Sequence, residues 1–237
     1  MKKIYSCLII LTFFTSCTTD SDTAQQDAIT TVTNRTVNLL PGNNTNPYDE
    51  AGWLHNELFE SYYASGNLPT SISGIANRVE AIAEANAGFS AIKTSTYHVV
   101  SAERIQYLLD HKNTCINDVI SASSLTVKAK LSLGTFINSL VVVFDTETNC
   151  DVLYKFVADY ESGIINDSLL TVRDKQIMLI TTSIARHSAY LAKKKPKKNT
   201  DPDWTVLVGN VVAATDGAEY GMAESVTEAL VAGIAQN

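Results

Sequence analysis

Cysteine is scarce in this chain: four residues in 237, too few for a disulfide-built scaffold. Basic side chains are short as well, with 18 Lys and Arg against 25 Asp and Glu and a formal charge of -7. That balance gives a phosphate backbone little to hold, so nucleic acid is not an expected partner. No long stretch alternates apolar and polar residues with period 2, which argues against a sheet with one wet face. The metal signatures His-Glu-x-x-His, Glu-x-x-His and Cys-x-x-Cys are missing, so no metal and no other cofactor is expected. Missing too are G-x-S-x-G, the Walker loop and G-x-G-x-x-G, the usual marks of acyl transfer and nucleotide chemistry. Ser90-Ala91-Ile92-Lys93 has the S-x-x-K form of penicillin-recognising enzymes but lacks its companion elements. What remains is 45% hydrophobic and 18% charged, ordinary for a chain with a packed core in one or two domains.

The N-terminus speaks of location. Lys2 and Lys3 precede an apolar run from Ile4 to Thr15, too short to cross a bilayer as an ordinary helix. The run ends in Phe14-Thr15-Ser16-Cys17, which resembles the lipobox of bacterial lipoproteins. The resemblance implies that residues 1–16 are a cleaved signal peptide and that Cys17 becomes a lipidated N-terminus. Two or three acyl chains hold a protein at a membrane where one would not. Loss of Lys2 and Lys3 leaves 16 basic and 25 acidic residues, a formal -9. Thr18 stands where an aspartate would signal inner-membrane retention, so the resemblance implies an outer-membrane protein facing the periplasm or the cell surface. Residues 17–45 are rich in Thr, Asn, Asp and Gln and include Pro41-Gly42-Asn43-Asn44. They read as a lipid-anchored flexible tether with a coil reach of roughly 30 Å.

From Asn46 the periodicity turns helical and predicts an all-α fold, a bundle of about six to eight helices. Asn46 can cap a helix with Pro47 in its first position. Behind it runs the stripe Ala51, Leu54, Leu58, Phe59 and Tyr62. Ile72, Ile75, Val79 and Ile82 mark a second helix ending near Gly88, and Ser101 caps a third. Leu125–Phe144 is apolar enough on several sides to be the central core helix. Thr171 and Asp174 form an approximate capping box for a long helix ending at Lys193-Lys194-Lys195. The helical core domain thus spans 46–195. Residues 196–237, a basic linker and a C-terminal segment, follow. Small residues recur there at every fourth position: Gly209, Ala213, Gly217, Gly221, Ser225, Ala229 and Gly233. Such a row suits two helices in close approach, and it also resembles the glycine zippers of membrane-active peptides. Asp216, Glu219, Glu224 and Glu228 would be costly in hydrocarbon, which favours packing over insertion. Gly217 and Gly221 could also divide the segment into two helices.

Asn46-Pro47-Tyr48-Asp49, with Gly52 and His55-Asn56, resembles the start of the folded region in Bacteroidota-type lipoproteins. That resemblance implies no activity. His55 and His187 each fall on the apolar side of a helix, where a histidine is either a hydrogen-bonded core residue or a functional group. Asp49, His55, Asn56 and His187 are the candidate binding residues, and none is assigned a catalytic role. Cys115 and Cys150 could pair in an oxidising compartment, closing a loop of about 35 residues and adding roughly 3–4 kcal/mol of stability. The alternative is two separate buried thiols. The expected function is a lipid-anchored envelope protein with a helical interaction module, a possible envelope protein partner and no evident catalysis. Two alternatives stand beside it: an enzyme with a site near His55 or His187, and a membrane-active protein using the row 209–233.

Overall fold

A computed structural model describes residues 41–111, 114–194 and 203–236. Among them the chain forms ten helices and no strand: the fold is all-α. In order these are α1 (Glu50–Ala64), α2 (Ile72–Glu84), α3 (Ala87–Ile92), α4 (Ala102–Asp110), α5 (Cys115–Ala122), α6 (Val127–Thr146), α7 (Cys150–Asn166), α8 (Val172–Lys194), α9 (Asp203–Ala218) and α10 (Met222–Ala235). The described residues belong to one compact unit. The expected signal peptide, Cys17 and residues 17–40 of the expected tether lie outside the described residues, as does most of the expected basic linker.

Polar residues set the helix starts. Ser71, Asn86, Ser101, Thr126 and Asn149 each accept a backbone N–H in the first turn of α2, α3, α4, α6 and α7, as capping chemistry requires. The box at α8 closes in both directions. Asp174 N–H donates to Thr171 Oγ1 at 3.0 Å, and Thr171 N–H donates to Asp174 Oδ2 at 2.9 Å. Asp174 also accepts from Thr126 N–H and Oγ1 at 2.8 and 3.0 Å, joining the heads of α6 and α8. One carboxylate thereby fixes the relative register of two helices.

Two expectations about the core need correction. The centre of the bundle is α8, buried without a break from Ile177 to Ala189, and not the helix around 125–144. The latter, α6, is long and apolar enough to cross a membrane by length and composition. It nevertheless packs only one face inward, through Leu133, Phe136, Ile137, Leu140 and Phe144, and leaves Val127 85% and Leu131 73% exposed. The apolar count misled because α6 carries valine and leucine on its wet side. Two polar residues of α8, in contrast, find partners inside: Thr182 and Ser183 donate to backbone oxygens of Leu179 and Asp49.

The helix expected from Asn46 begins four residues later. Asn46 does not cap α1; its Oδ1 accepts the N–H of Tyr48 two residues on, at 2.8 Å, and its amide turns into the core. Nor does the expected tether reach residue 45. Pro41, Gly42 and Asn43 are already buried, because asparagine amides here serve a buried carboxylate. Pro-Gly-Asn-Asn composition alone resembles a linker.

The C-terminal helices α9 and α10 contribute to the same hydrophobic core as α1–α8. The small-residue row is the contact between them. A Cβ on Gly217 would sit 2.7 Å from the Glu224 carbonyl and from Ser225 Cα, backbone atoms that cannot rotate away. Ser225 Oγ donates to Ala214 O at 2.7 Å across the same contact. The segment does divide, with Glu219–Gly221 as the turn between α9 and α10.

Candidate functional site

Two of the four candidate binding residues, Asp49 and His187, meet beside one buried cation, and His55 and Asn56 pack nearby. Arg186, on α8, is 1% exposed. Its Nη2 bonds to Asp49 Oδ1, and its Nη1 donates to the same oxygen at 3.1 Å and to Pro41 O at 2.9 Å. Its Nε lies 3.4 Å from Glu161 Oε2 on α7. Glu161 is fully buried and accepts from Asn43 Nδ2 at 2.6 Å and Asn46 Nδ2 at 2.8 Å. Asn46 Nδ2 also reaches Leu179 O at 3.0 Å. Asp49 completes its shell with the N–H of Asn43 and Trp53 Nε1, both at 3.1 Å, and with His187 Nε2 at 3.4 Å.

The motif from Asn46 to Asn56 therefore reads out as an interlock of α1 with α7 and α8. Gly52 N–H donates to Ser183 Oγ at 3.0 Å, and any Cβ at Gly52 would come within 2.3 Å of His187 Cδ2. Asn56 Nδ2 donates to His187 O at 3.2 Å. His55 is 2% exposed; its Nδ1 faces Asn56 Oδ1 at 3.2 Å, and its Nε2 is buried with no hydrogen-bond partner. Glu57 turns elsewhere and accepts from Asn86 Nδ2.

The electrostatics are those of an enclosed cluster. Burial pushes Asp49 upward, but the bond from His187 and the charge of Arg186 outweigh it and hold the carboxyl below its ordinary range. Burial dominates at Glu161 and raises it despite Arg186. Burial also drives His55 down to about 4, so that imidazole is neutral at physiological pH. A histidine sealed in this way lacks the access that acid–base catalysis on an outside substrate needs.

Of the two alternatives left open for Cys115 and Cys150, the structure has the unbridged one: no disulfide joins them. Cys115 is buried at the head of α5, where desolvation raises its thiol above the usual value. Cys150 opens α7 and is partly exposed. The spacing of two cysteines in sequence carries no information about whether their helices meet.

An open site occurs elsewhere, where α4, α5 and the α9–α10 turn surround a cleft of about 640 Å³. Arg104 on α4 forks onto Asp216 of α9, Nε to Oδ2 at 2.6 Å and Nη2 to Oδ1 at 2.7 Å. Glu219 accepts from Ser124 N–H and Oγ at 2.9 and 2.7 Å, with Arg173 at 3.8 Å. Glu224 of α10, 2% exposed, uses Oε1 to accept the N–H of His98 at 3.2 Å. Its Oε2 is buried without a partner, and so is Oε2 of Glu228, which lines the cleft. Burial, with the neighbouring Asp216 and Glu224 charges, pushes Glu228 up to about 8 against the pull of Arg104. Val99, Val119 and Ala122 supply apolar wall, and Tyr220 stands exposed at the rim beside His98.

Sequence reasoning missed this cleft because its residues come from four separate segments. The one available signal was a run of carboxylates, Asp216 to Glu228, on helices with no Lys or Arg of their own. Among the described residues no three His, Cys, Asp or Glu side chains converge as a metal centre requires. Compared with models of protein families, with curated proteins and with solved structures, the chain matches none.

Proposed function

We propose that this chain is a Bacteroidota-type lipoprotein, anchored through acyl chains on Cys17 in the outer membrane, whose helical domain is a binding module with no catalytic activity evident. The observation that carries the reading is the division of the polar groups. Asp49, His187 and Arg186 are consumed in a buried interlock, and His55 is sealed beside it. The cleft at α4, α5, α9 and α10, in contrast, opens to solvent and is lined by Glu228, whose buried Oε2 has no donor. Ligand sites are concave, partly apolar and carry a few unsatisfied polar groups. The net negative charge agrees with a partner other than nucleic acid.

Anchoring is tested by growing cells with an alkyne-bearing palmitate and fractionating the envelope. The wild-type chain should take up the label and sediment with outer membrane, and Cys17→Ser should lose the label and leave that fraction. Label retained by Cys17→Ser, or an unlabelled soluble wild type, would overturn the anchor. Protease shaving of intact cells, with a periplasmic control, then reports which face of the membrane carries the domain.

A further inference from the structure

Two carboxylates on α10 are under-supplied with donors. Glu224 and Glu228 each keep an Oε2 out of water with nothing to hydrogen-bond it, and buried polar atoms in native proteins are as a rule satisfied. The other charges in the cleft already have partners: Asp216 is forked by Arg104, and Glu219 is held by Ser124 and Arg173. The demand left unmet once Glu228 is ionised is therefore for positive charge or N–H donors, delivered next to it.

The rest of the cleft narrows the class. Val99, Val119 and Ala122 offer a carbon body something to lie on, and Tyr220 offers a ring face at the mouth. An ammonium attracted to carboxylate and ring at once is favoured in such a setting. A bare metal ion would need converging ligands that the described residues do not provide. We infer that the cleft between α4, α5, α9 and α10 binds a small aliphatic amine, its ammonium bonded to Glu228 and its carbon chain lying on Val99 and Val119.

Glu228 must give up a proton to receive the ammonium, since burial and the charges of Asp216 and Glu224 hold it near 8. The titratable groups around it are Arg104 from α4, Asp216 from α9, Glu224 from its own helix, and His98 and Glu219 on the cleft wall. Binding is thus expected to release a proton and to tighten as pH rises toward 8.

The ligand class rests on the cleft being the binding site, not on the lipid anchor, so the two fail separately. The test is calorimetric titration of the full chain in detergent with putrescine and with the neutral 1,4-butanediol, between pH 6.5 and 8.5. Putrescine should bind, roughly twentyfold tighter at the upper pH given the fraction of Glu228 ionised, and the diol should bind at least about tenfold more weakly than the amine. Glu228→Gln, an isostere of the protonated side chain, should weaken putrescine about tenfold at pH 8.5 and flatten the pH profile. Ala122→Trp, which fills the cleft from an exposed position on α5, should abolish binding while the helical circular dichroism is kept. Absence of putrescine binding, equal affinity for the diol, or an affinity unmoved by Glu228→Gln would each overturn the inference.

Discussion

Replacing Arg186 by methionine should be among the most destabilising single changes in the domain. The side chain is 1% exposed and supplies cationic donors to Asp49, Glu161 and the Pro41 carbonyl. Methionine fills much of the same volume but leaves two carboxylates without their counter-charge. Breaking a buried ion pair by removing one partner costs about 3–5 kcal/mol, most of it the desolvation of the charge left behind. For a domain of this length that corresponds to a fall in Tm of roughly 6–20 °C. Urea unfolding followed by circular dichroism measures the difference, and its pH dependence tests the cause. Burial has already raised Glu161 above its unfolded value, and without Arg186, which pulls it down, it rises further. A carboxyl with a raised folded value binds its proton more readily when folded, so stability increases as pH falls through that value. The deficit of Arg186→Met should therefore shrink between pH 7.5 and pH 5. A variant within about 1 kcal/mol of wild type at pH 7.5, or a deficit that does not shrink at pH 5, would refute the account.

Two glycine-to-alanine changes should have opposite signs. Gly217→Ala forces a Cβ to 2.7 Å from α10 backbone and should cost about 2–3 kcal/mol, whereas Gly163→Ala in α7 meets nothing within 4 Å and should add about 0.5–1 kcal/mol; thermal melts of both variants decide it. His55 is held near 4 in the folded state against 6.5 unfolded, so its stabilising contribution is complete above 6.5 and lost as pH falls toward 4. The wild type should lose about 3 kcal/mol over that window through this group, and a His55→Gln variant with an unchanged slope in urea titrations would contradict this. Alkylation without reductant and peptide mapping should find both Cys115 and Cys150 modified after unfolding, with Cys150 reacting first in the native protein; a Cys115–Cys150 peptide pair linked by a disulfide would count against the unbridged arrangement.

Much of the candidate cluster was legible as residues but not as a site. The helical stripe placed His55 among Leu54, Leu58 and Tyr62, and the structure buries all four. Asp49, Asn56 and His187 stood out individually. Arg186 did not, although it organises the cluster, because an arginine beside a histidine on a long helix reads as solvated surface. Its burial depends on Asp49 and Glu161 arriving from 137 and 25 residues away in sequence.

By itself the sequence determined the all-α class, the caps at Ser101 and at Thr171–Asp174, and the small-residue row that brings α9 against α10. Each of these is a local matter of spacing and capping, complete within a few turns of chain. Tertiary structure alone decided that α8 and not α6 lies at the centre, that folding begins by residue 41, that no disulfide joins Cys115 to Cys150, and that a cleft opens beside Glu228. Those outcomes depend on which distant surfaces meet. A valine can then face water, and an arginine be buried, wherever the partner surface supplies the compensating contact.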